Sequence, residues 1–330
     1  MTTRRQIVLN FGAGAFAASF GTFAQQLPQM IFRVGFLSSS GRTPDGAPPG
    51  PLRDGLRALG HVEGKNIVYE ARFADGAVDR LPGLAAELVR SNVHVIVTAG
   101  GPATLAAKQA TSTISIVMAP AAGDAVATEI IVSLARPGGN VTGMTDENVQ
   151  LSAKRMQLLK EAVPKAALIA ILWNVNDQGM TLRYREIEKA ARILQVAVQA
   201  ISVREPDDFA VAFATMTSRR PDAIFLVSDV FTRTNRKRVI EFAAAHGIPA
   251  MYEFSFFVRD GGLMSYGPEP DDAFREAANF VDRILKGARA ADLPAQQPTR
   301  YYLTVNRTTA AALGLTIPHS VLIRADDVIQ

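Results

Sequence analysis

The chain has no cysteine, so neither a disulfide nor thiolate chemistry is open to it. Its stability must come from burying apolar surface, and 330 residues are enough for one large core or, more naturally, two. Histidine is scarce as well. His61, His94, His246 and His319 are scattered without the spacing of a metal site. His94 falls in an apolar strand-like run and reads as a core residue. There is no G-x-S-x-G elbow, no P-loop and no G-x-G-x-x-G, so the common nucleophile turns and phosphate cradles are missing. No cofactor, metal or catalytic residue is expected. Long apolar runs are also lacking. The stretch after the N-terminus contains Asn10 with glycines and a serine, and falls short of the about 20 apolar residues that a spanning helix needs. Net charge is small, +4 overall. Without Arg4 and Arg5 it drops to about +2, which gives no reason to expect a nucleic-acid partner. The basic cluster Arg233, Arg236, Lys237 and Arg238 reads as a solvated helix face, with a docking patch for a partner as the alternative.

The N-terminus has the layout of an export signal. Arg4-Arg5 precede a short, weakly apolar segment from Ile7 to Phe23, and Thr22-Phe23-Ala24 supplies small residues for cleavage. Residues 1–26 therefore read as a signal peptide, of either the twin-arginine or the ordinary secretory kind. A periplasmic destination follows. With no cysteine at the cleavage point, a lipid anchor there is excluded.

From Ile31 the chain alternates strand-like and helix-like runs. Strands are expected at Ile31–Leu37, Ile67–Arg72, Val93–Thr98 and Ser115–Ala119, and helices at Pro51–Leu59, Val78–Arg90 and Pro102–Ala110. The pattern returns about 130 residues later, with strands at Leu168–Trp173, Ala197–Val203, Ala223–Val227 and Pro249–Glu253. Helices at Ser152–Ala162, Leu182–Leu194, Pro206–Thr217 and Thr234–Ala245 accompany them. This argues for an α/β chain of two similar lobes, each a parallel sheet flanked by helices. A single large doubly wound sheet is the alternative. Crossings between lobes are expected near Leu134–Gly143, at Gly261–Gly267 and near Leu293–Thr304, together forming a three-stranded hinge.

Ligands of open α/β sheets bind beyond the carboxyl ends of strands. The residues standing there are Ser38, Ser39 and Ser40 after the first strand, and Gly100, Gly101, Ala103 and Thr104 at a helix start. They are joined by Asp124, Asn174, Asn176, Asp229, Tyr252, Glu253 and, in a crossing segment, Tyr266. The helix start offers unbonded amides for an anion. The carboxylates and amides offer acceptors for an amine, and the rings offer stacking. Trp173 reads as packing rather than ligand contact.

Several stretches together resemble one family. They are Arg33–Leu37, Gly55–Ile67, Arg80–Val89, Thr104–Thr111, Leu134–Gly143, Gly261–Gly267 and Ala312–Pro318. In order and over the whole chain beyond the signal, they resemble the ABC transporter substrate-binding proteins that include tryptophan- and tyrosine-binding members. The resemblance implies a type I periplasmic binding fold with lobes at 31–143 plus 267–297 and 144–266 plus 298–330. It also implies a monomer that captures a small organic molecule by hinge closure and hands it to the membrane permease of an ABC importer. The ligand would be carboxylate-bearing, such as an amino acid or an aromatic acid. In that family the pocket positions correspond to Ser38–Ser40, Gly100–Thr104, Asp124, Asn174 and Asp229. Two other readings stay open: a secreted enzyme on the same scaffold, using Asp124 with Asp229 or Glu253, and a sensory protein that presents its ligand to a receptor.

Overall fold

The computed structural model describes residues 30–119, 124–145 and 148–330. The export-signal reading and Gly123 of the turn before Asp124 lie outside the described residues.

The first lobe is built on a five-stranded parallel sheet in the order β2-β1-β3-β4-β5. Its strands are β1 (Phe32–Ser38), β2 (Ile67–Phe73), β3 (Val95–Ala99), β4 (Ser115–Met118) and β5 (Val141–Gly143). β3 is buried along its whole length, as expected of a central strand covered on both faces. Helices α1 (Gly50–Ala58), α2 (Leu81–Arg90) and α3 (Gly101–Ala110) lie between the strands. α1 buries Leu52 and Leu56, one turn apart, and exposes its charged face.

The second lobe repeats the order and extends it. Its strands are β6 (Leu168–Asn174), β7 (Ala197–Val203), β8 (Ala223–Leu226), β9 (Ala250–Tyr252), β10 (Met264–Gly267), β11 (Tyr302–Asn306) and β12 (Asp327–Ile329). The sheet runs β12-β11-β10-β9-β8-β6-β7, so its last five strands mirror the first sheet. All pairs are parallel except β10 with β11. Its helices include α4 (Asn148–Ala162), α5 (Gln178–Ile193), α6 (Asp208–Ser218), α7 (Val230–Thr234), α8 (Arg236–Ala245) and α9 (Ser255–Arg259).

The chain changes lobes three times. After β5 it enters α4, whose Met156 and Leu159 join the core around Ile169, Ile171 and Phe225. After β10 it returns as α10 (Pro270–Leu285), whose Ala277, Phe280 and Val281 pack with Val34, Phe36 and Leu56 of the first lobe. It crosses again before β11. Two crossing strands end in glycine where no side chain fits. At Gly143, with φ near +118°, a Cβ would lie 2.4 Å from the Met118 carbonyl oxygen, and at Gly267 it would lie 2.0 Å from that of Glu253.

Several elements differ from the sequence reading. His94 is exposed, immediately before β3, and its Nδ1 accepts the Arg33 amide at 2.9 Å. Its ring lies at the sheet end rather than in the core. The expected helix over 234–245 is α8, starting two residues later at Arg236, and the sequence reading did not foresee the short helix α7 that precedes it. α5 begins at Gln178, four residues before the expected start, because Asp177 caps it. The basic cluster is not simply solvated. Arg233, Arg236 and Arg238 lie over the rings of Phe254, Phe256 and Phe209, and Arg236 pairs with Asp260 at 2.6 Å. Trp173 packs in the second core, stacked on Tyr184 at 4.0 Å between centroids.

Gly143→Ala combines a left-handed backbone with a backbone clash and is expected to cost more than about 2 kcal/mol. Gly139→Ala, with nothing within 4 Å of its added Cβ and no positive φ, is expected to be within about 0.5 kcal/mol of the parent. Denaturant unfolding of the two variants measures the contrast.

Candidate functional site

The carboxyl ends of both sheets face one crevice. From the first lobe come Ser39, Gly100 and Pro102, and from the second Asn174, Asn176, Asp177 and Asp229. Each is placed by local chemistry. Ser38 and Ser40 tie the turn after β1 by a 2.6 Å hydroxyl contact, and the Ser40 amide donates to Ser38 Oγ. That leaves Ser39 between them, 3% exposed, with its hydroxyl buried and unpartnered. Gly100 holds φ near +102°, which lets the chain turn from β3 directly into α3. A Cβ there would lie 3.1 Å from Ser39 Oγ and 3.3 Å from Val230 of the other lobe. α3 has no side-chain cap, and its ladder starts with the Thr104 amide bonding the Gly100 carbonyl. The amides of Gly101 and Ala103 precede that bond and stand at the positive end of the helix dipole.

The opposing wall is acidic. Asp177 Oδ1 accepts the amides of Gly179 and Met180 at 2.8 and 3.3 Å. Its Oδ2 makes no hydrogen bond among the described residues. Asp229 forms a capping box with Thr232 and accepts the Asn174 side-chain amide at 2.6 Å. Both carboxylates are nearly buried, Asp177 at 8% and Asp229 at 5% exposure. Burial, then the charge of Asp229, pushes the Asp177 carboxyl up to about 6, against the counter-pull of Arg183 and of its two amide donors.

The crevice has a volume of about 20 Å³, room for about one water. It adjoins a wider bay of about 350 Å³ that shares Val78, Pro102, Asn176 and Asp177 and is walled by Leu81, Leu105 and Ile130. A molecule larger than water therefore enters by the bay or by separation of the lobes.

The structure brings together Ser39, Gly100, Asn174, Asn176 and Asp229, with Gly101 on the wall of the bay. The other expected residues stand elsewhere. Ala103 is in the first-lobe core. Thr104 is fully buried, with its hydroxyl on Thr98 and the Gly100 carbonyl. Asp124 accepts the amides of Val126 and Ala127, as a turn residue does. Tyr252 is turned into the second core against Phe257. Tyr266 lies half-buried on β10, close to Tyr301, and its carbonyl accepts Arg155 Nε at 2.5 Å. Glu253 is wholly buried between Arg155 and Arg183, at 3.3 and 3.2 Å. With Asp124 capping a turn and Glu253 ion-paired, neither pairing proposed for acid–base work assembles. Asp177 was missed, whereas Pro102 falls inside the expected Gly100–Thr104 stretch. An aspartate three residues past a strand end, followed by a helix, is the cap signal that could have found Asp177.

Residues 47–329 match the family model described as ABC transporter substrate binding protein. The chain is 23% identical over 261 residues, 79% of its own length and 74% of the relative's, to a tyrosine-binding protein of Clostridioides difficile strain R20291. Among solved structures, a conserved domain protein of Vibrio cholerae O1 biovar El Tor aligns with a TM-score of 0.83 at 26% identity, over 90% of this chain and 99% of that one. An ABC domain of Streptococcus pneumoniae in complex with L-Trp gives 0.83 at 24% identity, over 91% and 100%. The architecture is that of type I periplasmic binding proteins.

The raised Asp177 carboxyl sets a pH dependence. Unfolded, the group titrates near 3.8; folded, near 6. The folded state binds the extra proton, so this group's contribution to stability falls as pH rises from 4 to 6 and is flat above. Asp177→Asn keeps the helix cap and removes the charge. It is expected to be more stable than the parent at pH 7.5, by about 3 kcal/mol at most, with the difference closing toward pH 4. Chemical unfolding of both proteins across that range checks it.

Proposed function

The chain belongs to the ABC transporter substrate-binding protein family, and on that premise we propose that it captures a small molecule carrying both an amine and a carboxylate in the crevice between its lobes. The observation that carries this reading is the opposition of two unlike walls. The uncapped start of α3, with the unpartnered hydroxyl of Ser39, suits an anionic end. Across from it, Asp177 Oδ2 and the neighbouring Asp229 suit a cationic end. The apolar side of the bay, Val78, Leu81, Leu105 and Ile130, then takes the body of the ligand. An amino acid with a large apolar side chain meets all three demands, in line with the tyrosine- and tryptophan-binding relatives. An aromatic acid lacking the amine would leave Asp177 buried and unpaired.

In this reading the lobes, 31–143 with 267–297 and 144–266 with 298–330, move as two bodies on the three crossings. The closed form is then presented to the permease of an importer outside the cytoplasm, after export directed by residues 1–26. The family is one of solute-binding proteins, and in this reading the ligand is released unchanged. No described helix is long and apolar enough to cross a membrane.

Thermal unfolding with added L-tryptophan, L-tyrosine, indole-3-propionate and tryptamine tests the reading. An amino acid at 100 times its dissociation constant is expected to add about 2.7 kcal/mol. The compounds lacking either charged end are expected to add far less, and Asp177→Asn to lose the amino-acid effect. An equal shift with indole-3-propionate would refute the amine contact. No shift across a full amino-acid panel would refute the reading.

A further inference from the structure

Behind the acidic wall lies a charged cluster that touches none of the crevice directly. Glu253 follows β9 and is 0% exposed, as are the side chains of Arg155 and, within 2%, Arg183. Arg155 comes from α4, the helix that follows the first crossing, and Arg183 from α5, the helix that Asp177 caps. Arg155 reaches Glu253 Oε1 and also donates to the carbonyl of Tyr266 on β10. Arg183 reaches Glu253 Oε2 and, at 3.5 Å, the carbonyl of Ser228, the residue before Asp229. Side chains on a helix lean toward its N-terminus, which carries the Arg183 charge back toward the capping turn of α5. Gly267 packs against the same place, since a Cβ there would meet the Glu253 carbonyl and come within 3.1 Å of Arg155 Nη2.

We propose that the Arg155–Glu253–Arg183 clasp is the positioning device of the ligand crevice: it fixes where the Arg183 charge stands relative to Asp177 and ties both aspartate-bearing turns of the second lobe to the crossing strand β10. The three residues act through Asp177 and Asp229 and touch no ligand themselves. Among the described residues, the charged groups acting on Asp177 are Asp229, from the turn after β8, and Arg183, from its own helix. Glu253 from the end of β9 and Arg155 from α4 act through Arg183. The first lobe brings Ser39, Gly76, Val78, Gly100 and Pro102 to the crevice, none of them charged. A carboxylate that must be ionised to hold an amine is thus helped from behind by a guanidinium that opposes the effect of burial and of Asp229, and Glu253 helps to fix where that guanidinium stands. This rests on Asp177 being the amine-holding group, but its test needs no ligand, so the two fail separately.

The full chain carrying carboxyl-labelled aspartate is titrated by carbon NMR, with the Asp177 signal identified by its loss in Asp177→Asn. Glu253→Gln removes the charge that offsets Arg183 and is expected to lower the Asp177 midpoint by about half a pH unit or more. Arg183→Gln is expected to raise it by a similar amount. Opposite shifts support the proposal. An unmoved midpoint, or a shift of the other sign, in whichever variant folds overturns it. Breaking a buried pair can unfold the lobe. If neither variant folds, the parent protein decides: the Arg183 Nε–H signal must move with the Asp177 midpoint, and a signal indifferent to that titration overturns the proposal.

Discussion

Glu253 is a carboxylate with no exposure to water, and the second lobe is arranged around the need to pair it. An isolated buried charge is strongly unfavourable, and the cost is tolerable only where opposite charges and hydrogen bonds meet it. Arg155 and Arg183 do so. Each arrives from a different helix, so α4, α5 and the end of β9 hold fixed relative positions. Through the Tyr266 and Ser228 carbonyls the same guanidiniums reach the crossing strand and the turn before Asp229. The paired charges add a directional constraint to the apolar packing of these elements.

The crevice inherits that rigidity and adds a polarity of its own. The first-lobe wall is made of backbone: a helix start without a cap, a left-handed glycine and one serine hydroxyl. The second-lobe wall is made of side chains that already cap helices, with one oxygen of Asp177 left over. In the proposed reading, capping and recognition would use the same groups, held in place by their caps. The cost is visible at Asp177, where burial beside Asp229 pushes the carboxyl up to about 6. A cation in the crevice would relieve it. Close approach of the lobes at Gly100 and Val230 leaves about 20 Å³ between the walls.

Much of the scaffold was legible because it repeats. Apolar runs of strand length, separated by amphipathic runs and glycine or proline punctuation, locate the first four strands of the first sheet and their counterparts in the second, whereas β5 and β10 were read only as crossing segments. The crossings were legible as turn-rich segments, in which Gly143, Gly262 and Gly267 have no room for a side chain. His94 was misplaced because an apolar run does not reveal where a strand begins, and the residue falls just outside β3. The start of α5 was misplaced because Gln178-Gly179-Met180 is a poor helix opening, which the Asp177 cap overrides.

The site was legible only by address. Standing at a strand's carboxyl end identified Ser39, Gly100, Asn174, Asn176 and Asp229, since in an α/β sheet that edge is where loops converge. It could not separate them from Thr104, Asp124, Tyr252 and Glu253, which share the address but turn inward or serve local turns. Direction depends on partners far along the chain. Glu253 meets Arg155 across 98 positions and Arg183 across 70. By itself, then, the sequence determined the alternation, the two lobes and the edge where a ligand would sit, because these follow from local periodicity and chain connectivity. Only the tertiary structure decided which carboxylate is spent on a buried guanidinium and which still faces the crevice, because that choice is made by charges that meet only when the lobe is packed.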